Sequence, residues 1–492
     1  MTETAKKKRG MPSSFTILLA LLAIVAVITV IVSGTSGGAV TAARLSDFCT
    51  APIKGFADAL PVCLFVMILG GFLGMMTETG ALDNGIAVLV QKLKGNEIML
   101  IPVLMLIFSL GGTTYGMCEE TVPFYALLAA TMMAAGFDPM VGAATVLLGA
   151  GCGCLGSTVN PFAVGAAVDA LTGVDIAVNQ SIIIGLGAVL WIVTTVMSIV
   201  FVMNYAKKVK ADKGSTILSM QELKDAEEAH GKAASEVHKE VKLTGRQKGV
   251  LIAFAFTFVV MIVGFIPLAD LNEGVANFFD AGAVYDADGN AVVQGWSALI
   301  TGLPIGQWYF DEASTWFFLM AVLIGIIGGL SEKQIVNTFI TGAADMMSVV
   351  LVIALARGIS VLMANTGLDV YVLDAAANAL AGLSGVIFAP MSFLVYFGLS
   401  FLIPSTSGMA TVSMPIMGPL AVKLGFSPEV MVMIFSAAIG VVNLFTPTSG
   451  AIMGGLALAK IEWTTWLKFA LKLIVALSVV CAVILTVACV LL

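Results

Sequence analysis

Four short stretches rich in Ser, Thr, Asn, Gly and Pro interrupt apolar segments of this chain and hold its best candidates for chemistry. They are Gly112-Thr113-Thr114-Tyr115-Gly116-Met117-Cys118-Glu119-Glu120-Thr121-Val122-Pro123, Ser157-Thr158-Val159-Asn160-Pro161, Pro404-Ser405-Thr406-Ser407-Gly408-Met409 and Thr446-Pro447-Thr448-Ser449-Gly450. Gly and Pro open a helix, and the freed carbonyls, hydroxyls and amide supply oxygen ligands of the kind that coordinate Na+. Helices that restart after a break offer their N-termini to an anionic carboxylate. Such backbone at membrane depth must be buried in protein or line a watery cavity, because lipid satisfies no N–H or C=O. The alternative is close helix packing through small residues. That alternative accounts for one isolated break more readily than for four in matching positions.

Ionisable groups sharpen the picture. Glu119 and Glu120 lie in the first break, where the matching segment has Thr411 and Val412. A carboxylate inside a span is costly and marks a functional site by default, able to hold a proton, a sodium ion or a substrate ammonium. The outer member of the pair could equally point to the membrane interface. Arg357 sits deep in an apolar segment of the second half, where its counterpart is Gly70. It serves either to grip a substrate carboxylate bidentately or to pair structurally with Glu119, Glu120 or Asp345. Asp138 and Asp169 fall nearer segment ends and read as interfacial, and Asn365 as a helix-end cap.

Other chemistry finds little support. The two histidines, His230 and His238, fall in a charged linker, and no GxxxxGK[ST] loop is present to drive an ATP-powered pump. Cys63, Cys118, Cys152, Cys154, Cys481 and Cys489 lie in apolar segments as reduced thiols. Cys152-Gly-Cys154 lacks the second ligand pair of a metal centre. Asp286-Ala-Asp288-Gly289-Asn290 lacks the glutamate of a calcium loop and reads as a β-turn.

The elements that must position these residues are membrane helices. A chain of 492 residues that is 59% hydrophobic and 11% charged, with mean hydropathy +1.02, has the bilayer as its solvent; soluble domains carry about 25% charged residues. Stretches near 14–34, 60–77, 181–204, 249–267, 314–331, 346–364, 384–403 and 470–492 are long enough to cross about 30 Å of hydrocarbon. Those around 98–112, 120–135, 139–156, 409–424 and 428–446 are shorter or broken.

The breaks match because the chain is doubled. Residues 55–80 reappear at 342–367 with a constant offset of 287, so that Asp58 answers to Asp345 and Gly71 to Gly358. The first and third breaks stand 292 apart, and Gly136-Phe137-Asp138-Pro139 answers to Gly425-Phe426-Ser427-Pro428 at 289, the offset that also relates the second and fourth breaks. Basic residues crowd 205–248 and are absent from 268–313, which assigns the first to the cytoplasm and the second to the outside. Lys92 and Lys94 follow the first copy of the opening block, whereas 371–383, after the second, has no basic residue. Related sequence in opposite orientation is an inverted-topology repeat. The expected fold is an all-α polytopic membrane protein. Its parts are an N-terminal cytoplasmic tail with a first transmembrane helix (1–49), repeat one (50–204), a solvated cytoplasmic linker (205–248), two connecting spans with an acidic extracytoplasmic loop (249–341), and repeat two (342–492). Lys6-Lys7-Lys8-Arg9 precedes an apolar run longer than a signal-peptide core, which suits a retained first helix with the N-terminus inside.

Gly112 to Pro123, Gly156 to Pro161 and Ile403 to Ala410 resemble the YfcC group of the DcuC-type C4-dicarboxylate carriers, within the ion transporter superfamily, and the likeness extends over nearly the whole chain. The resemblance implies an elevator transporter of the bacterial inner membrane, usually a homodimer, in which each repeat contributes a re-entrant hairpin and a broken helix. The first hairpin tip would then fall on Thr113 and Thr114 and the second on Ser405, Thr406 and Ser407. The broken helices would fall on Ser157, Thr158 and Asn160 and on Thr446, Thr448 and Ser449. A coupling Na+ would take Thr113, Asn160, Ser405 and Ser449, the other coupling ion being H+. Superfamily members that bind dicarboxylates carry Ser-Asn-Thr in both hairpins, a triplet that neither tip here has, and Glu119 and Glu120 would repel a dianion unless protonated. The YfcC group is described as basic amino-acid antiporters, which suits acids in the site and an arginine for the α-carboxylate.

The expected function is ion-coupled secondary transport or exchange of a small amino acid, a basic one above all. A C4-dicarboxylate carrier using Arg357 and helix N-termini is the alternative within the class, and an ion channel on the same broken helices the alternative outside it. The expected partners are a small-molecule substrate, the lipid bilayer and a second copy of the chain, with no nucleic acid and no organic cofactor.

Overall fold

The computed structural model describes residues 14–82, 84, 85, 88, 96–118, 121–236, 242–266, 268–271, 273–285, 291–403 and 405–492. The basic N-terminal cluster, Lys92, Lys94, Glu119, Glu120, His238 and the turn at 286–290 lie outside these residues, as does the side chain of Asp169. α1 (Ser14–Ser33) comes first, and the first copy then contains α2 (Leu45–Asp58), α3 (Leu60–Glu78), α4 (Leu100–Tyr115), α5 (Val122–Ala134), α6 (Pro139–Leu155), α7 (Ala166–Thr172) and α8 (Gln180–Ala211). Between the copies come α9 (Met220–Glu236), α10 (Gly245–Phe265), a short strand pair formed by β1 (Val284–Tyr285) and β2 (Ala291–Val293), and α11 (Phe310–Gly328). The second copy contains α12 (Glu332–Asp345), α13 (Met347–Thr366), α14 (Leu368–Leu380), α15 (Gly385–Leu402), α16 (Thr406–Lys423), α17 (Pro428–Val442), α18 (Gly450–Leu458) and α19 (Trp463–Leu491).

Among the described residues, seven helices are long and apolar enough to cross a bilayer, and the protein is a multi-pass membrane protein. Val475, Val479, Val483 and Val487 form an exposed stripe along α19, and Val189, Ile192, Val196 and Val200 one along α8. Spacing of three and four puts each set on one helix face, turned away from the rest of the chain and apolar enough to suit lipid.

Local signals repeat with the sequence. Arg44 N donates to Asp47 Oδ2 at the start of α2, and Ser331 N, 287 residues on, donates to Gln334 Oε1 at the start of α12, both at 2.9 Å. Asp138 caps α6 through Val141 N at 3.1 Å, and Ser427 caps α17 through Val430 N at 3.4 Å. Gly80 and Gly367 follow α3 and α13 with φ of 63° and 72°, the left-handed conformation that closes a helix with least cost in glycine. Gly367 therefore closes α13, in place of the cap expected from Asn365.

The copies interlock by exchanging partners, α2 packing on α13 and α12 on α3. A Cβ on Gly55 would collide with the backbone of Ala354 and Gly358, and one on Gly342, the residue answering to Gly55, with the backbone of Gly70 and Gly71. Cys63 Sγ lies 3.8 Å from the carbonyl oxygen of Val350, its own counterpart. Around them Ala59 with Met346 and Val66 with Ile353, again 287 apart, fill one buried cluster. The same reciprocity recurs between α6 and α17, where a Cβ on Gly151 would strike Leu444 and one on Gly440 would strike Leu155. Gly151 answers to Gly440 and Leu155 to Leu444 at the offset of 289.

One expectation is corrected. Segment 205–248 is not wholly solvated, because Glu222, Ala226 and His230 form a buried face of α9 at four-residue spacing. Glu222 Oε1 accepts from Glu462 N at 2.9 Å, and His230 Nε2 lies 3.1 Å from the Leu458 carbonyl at the end of α18. Asp138, at the start of α6 and so at a segment end as expected, is buried against the linker, its Oδ2 accepting from Tyr205 Oη at 2.6 Å and Thr216 Oγ1 at 2.7 Å. Both carboxylates are tolerated because hydrogen bonds replace the water they lose.

Candidate functional site

The first break begins where α4 ends at Gly116, φ 80°, against the Asn160 side chain, which a Cβ there would strike. Asn160 Oδ1 accepts from Phe162 N at 2.9 Å and Ala163 N at 3.3 Å, and its Nδ2 donates to Ser157 Oγ at 2.9 Å. Asn160 thus caps the helical turn that restarts at Pro161. Thr113 Oγ1 donates to the Gly156 carbonyl at 2.7 Å, and Thr158 Oγ1 donates to the Thr113 carbonyl at 3.0 Å, so the first two breaks are tied to each other. In the second copy Ser405 Oγ accepts from Gly408 N at 3.1 Å to cap α16, and the Thr446 and Thr448 hydroxyls bond at 2.7 Å. Ser449, at the start of α18, makes no capping bond.

All four breaks contribute to a cavity of about 320 Å³. Asn160, Ser405, Thr406, Ser407, Thr448, Ser449 and Arg357 line it. Thr113, Ser157, Thr158 and Thr446 stand behind this wall and hold the breaks in place, and Thr114 turns back to the Leu110 carbonyl at 2.7 Å. Of the four residues expected around Na+, Asn160, Ser405 and Ser449 reach the cavity and Thr113 does not. Cys118 and Thr121, the neighbours of Glu119 and Glu120, both line it.

Arg357 is paired, with Nε 3.0 Å from Asp58 Oδ2, and both residues line the cavity. The acid is not Asp345 but its counterpart in the first copy, which the exchange of helix partners brings to α13. With side chains 27% and 52% exposed, the two groups are open to a ligand. A Cβ on Gly450 would strike Ile353 and one on Gly454 would strike Val349, so α18 runs antiparallel along α13. Arg357, one helical turn beyond Ile353, therefore lies ahead of the first amides of α18, where partial positive charge accumulates.

Residues 38–490 match the family model of the C4-dicarboxylate anaerobic carriers, DcuC. The chain belongs to this family. An uncharacterized protein of Haemophilus influenzae is 28% identical over 445 residues, covering 90% of this chain and 78% of that protein. The Escherichia coli K12 protein named "Putative basic amino acid antiporter YfcC" is 27% identical over 440 residues, covering 87% and 77%. Two solved structures share 17% and 16% identity with the carrier: Neisseria gonorrhoeae MtrF, of a class of antimetabolite efflux pumps, at TM-score 0.44 over 98% of this chain and 96% of its own, and the Alcanivorax borkumensis YdaH transporter at 0.47 over 96% and 97%.

The carrier's site includes residues that sequence reasoning missed. Leu147, Ala150, Gly151 and Cys154 on α6, Ser436, Ile439 and Gly440 on α17, and Asn443, which follows the end of α17, all line the cavity. Each set follows the spacing i, i+3, i+4, i+7 of one helix face, and the sets are exact counterparts at the offset of 289. The signal was available in the alignment of the copies, but it sits inside apolar helices rather than at their breaks. Ser360 on α13, three residues from Arg357, and Asp58 complete the polar lining contributed by the opening blocks.

Proposed function

We propose that this carrier is an ion-coupled secondary transporter that exchanges small α-amino acids, basic ones above all, across the bacterial inner membrane by alternating access. The Asp58–Arg357 pair on the cavity wall carries the proposal. An α-amino acid brings one ammonium and one carboxylate, so Asp58 can take the first and Arg357 the second with no charge left unpaired. A C4-dicarboxylate would set two carboxylates beside Asp58 and draw Arg357 away from it. The cavity volume of about 320 Å³ suits a ligand of this size. For a cationic side chain the available acids are Glu119 and Glu120, next to the cavity-lining Cys118 and Thr121. The substrate class in the name of the YfcC relative agrees.

The reciprocal packing of the copies supports two inverted repeats that move one body against another as an elevator, within a homodimer whose N-termini are cytoplasmic. Na+ at the oxygens of Ser405 and Ser449, or a proton, would supply the coupling. The family description favours a C4-dicarboxylate as second reading, with Arg357 and the N-terminus of α18 as its ligands. Thermal unfolding and proteoliposome exchange with ornithine, arginine and succinate, with and without sodium, separate the two. Stabilisation and exchange by the basic amino acids are expected; stabilisation by succinate alone would refute the proposal.

A further inference from the structure

α6 and α17 are one helix in two copies, yet the faces they turn to the cavity have changed character. Leu147 answers to Ser436 and Cys154 to Asn443. The opening blocks differ in the same sense, with Gly70 answering to Arg357 and Leu73 to Ser360. At these four positions the polar member belongs to the second copy every time and lines the cavity. The acid Asp58 comes from the first.

Ser436 makes the strongest case among them. It is 1% exposed, and its Oγ has no hydrogen-bond partner among the described residues. A serine inside an apolar helix ordinarily bonds the carbonyl a turn back, as Ser400 does to Tyr396 at 2.6 Å. A buried hydroxyl left unpaired costs free energy in the empty protein. On a cavity wall, that bond is available to a ligand. The Ser360 hydroxyl, beside Arg357, is unpaired in the same way.

We propose that Ser436 is a specificity-determining residue, whose hydroxyl, with Asn443 on the same helix face, bonds the carboxylate end of the substrate, while Leu147 receives its carbon chain. The proposal rests on the amino-acid reading above and deepens it. A doubled frame alone would build two like walls, suited to a ligand with two like ends. One polar wall and one apolar wall bind an unsymmetrical ligand in a single orientation: carboxylate toward the second copy, ammonium toward the first. An α-amino acid with an extended aliphatic stem meets that description, and a C4-dicarboxylate, with its two equal ends, does not.

The test uses the full-length carrier and measures ornithine binding and thermal unfolding in Ser436→Ala and Leu147→Ser. Ser436→Ala should bind about tenfold more weakly, while its ligand-free Tm stays level or rises, because an unpaired buried hydroxyl has been removed. Leu147→Ser, which adds polarity to the apolar wall, should lower the ligand-free Tm and gain no affinity. Unchanged affinity in Ser436→Ala, or a ligand-free Tm several degrees lower, overturns the proposal, since the hydroxyl would then be idle or structural. If the wild type binds succinate and no amino acid, the amino-acid reading and the selection of an unsymmetrical ligand both fail, and a tenfold loss of succinate affinity in Ser436→Ala would uphold only the bond from the hydroxyl to a carboxylate.

Discussion

As proposed, Arg357 both pairs with Asp58 and binds a carboxylate, and one substitution can separate the two. Its pair with Asp58 is partly exposed, and such pairs contribute about 0–1 kcal/mol, so Asp58→Asn should leave the Tm within a few degrees of wild type. Uptake should fall far more than stability. Arg357→Lys keeps the charge but loses the fork with which an arginine can grip a carboxylate, and on the proposed role about a tenfold to hundredfold rise in KM is expected in proteoliposomes. Glu119→Gln and Glu120→Gln should abolish uptake of cationic substrate, and unchanged kinetics in both would remove them from the site. The singularity of Arg357, which the structure places on the cavity wall, was legible in the sequence because its counterpart is Gly70. Its partner was not, since alignment relates Asp58 to Asp345 and is silent on which helices exchange neighbours.

At the scale of elements, α9 fastens the linker to the end of α18 through His230 and to the start of α19 through Glu222. Burial first, and then the positive charge of Lys460, push the His230 pKa below the ordinary 6.5, against the opposing pull of the Leu458 carbonyl. Above that value the ring is neutral whether α9 is docked or free. As pH falls below it, the free form takes up the proton first, so docking weakens. Spin labels on α9 and α19 should separate on acidification, and His230→Gln should remove the effect. Charge density concealed this contact in the sequence, because three buried positions are outvoted by their charged neighbours. The glycines give a contrasting test. Gly440→Ala drives a methyl into the backbone of Leu155 and should cost about 1–3 kcal/mol by thermal unfolding, whereas Gly185→Ala on α8, with nothing near it, should be neutral or mildly stabilising.

For the whole molecule, duplication was legible because its offset stays constant across the opening block, and the breaks were legible because Ser, Thr, Asn, Gly and Pro stand out in lipid-soluble sequence. What the breaks enclose was only half legible. The walls of the cavity are made as much by α6 and α17, which read as plain apolar helices, as by the broken ends.

The plugging of Gly151 by Leu444 and of Gly440 by Leu155 has an ancestral consequence. A contact in which residue i meets j and j meets i is that of a two-fold interface between identical chains, and it needs only one surface to be right. The carrier's interior is therefore packed like the interface of a two-fold dimer. While two separate chains are encoded by one gene, every change on one wall appears on the other. Within one polypeptide each wall can change by itself, and Ser436 where the other copy has Leu147 is a difference of that kind.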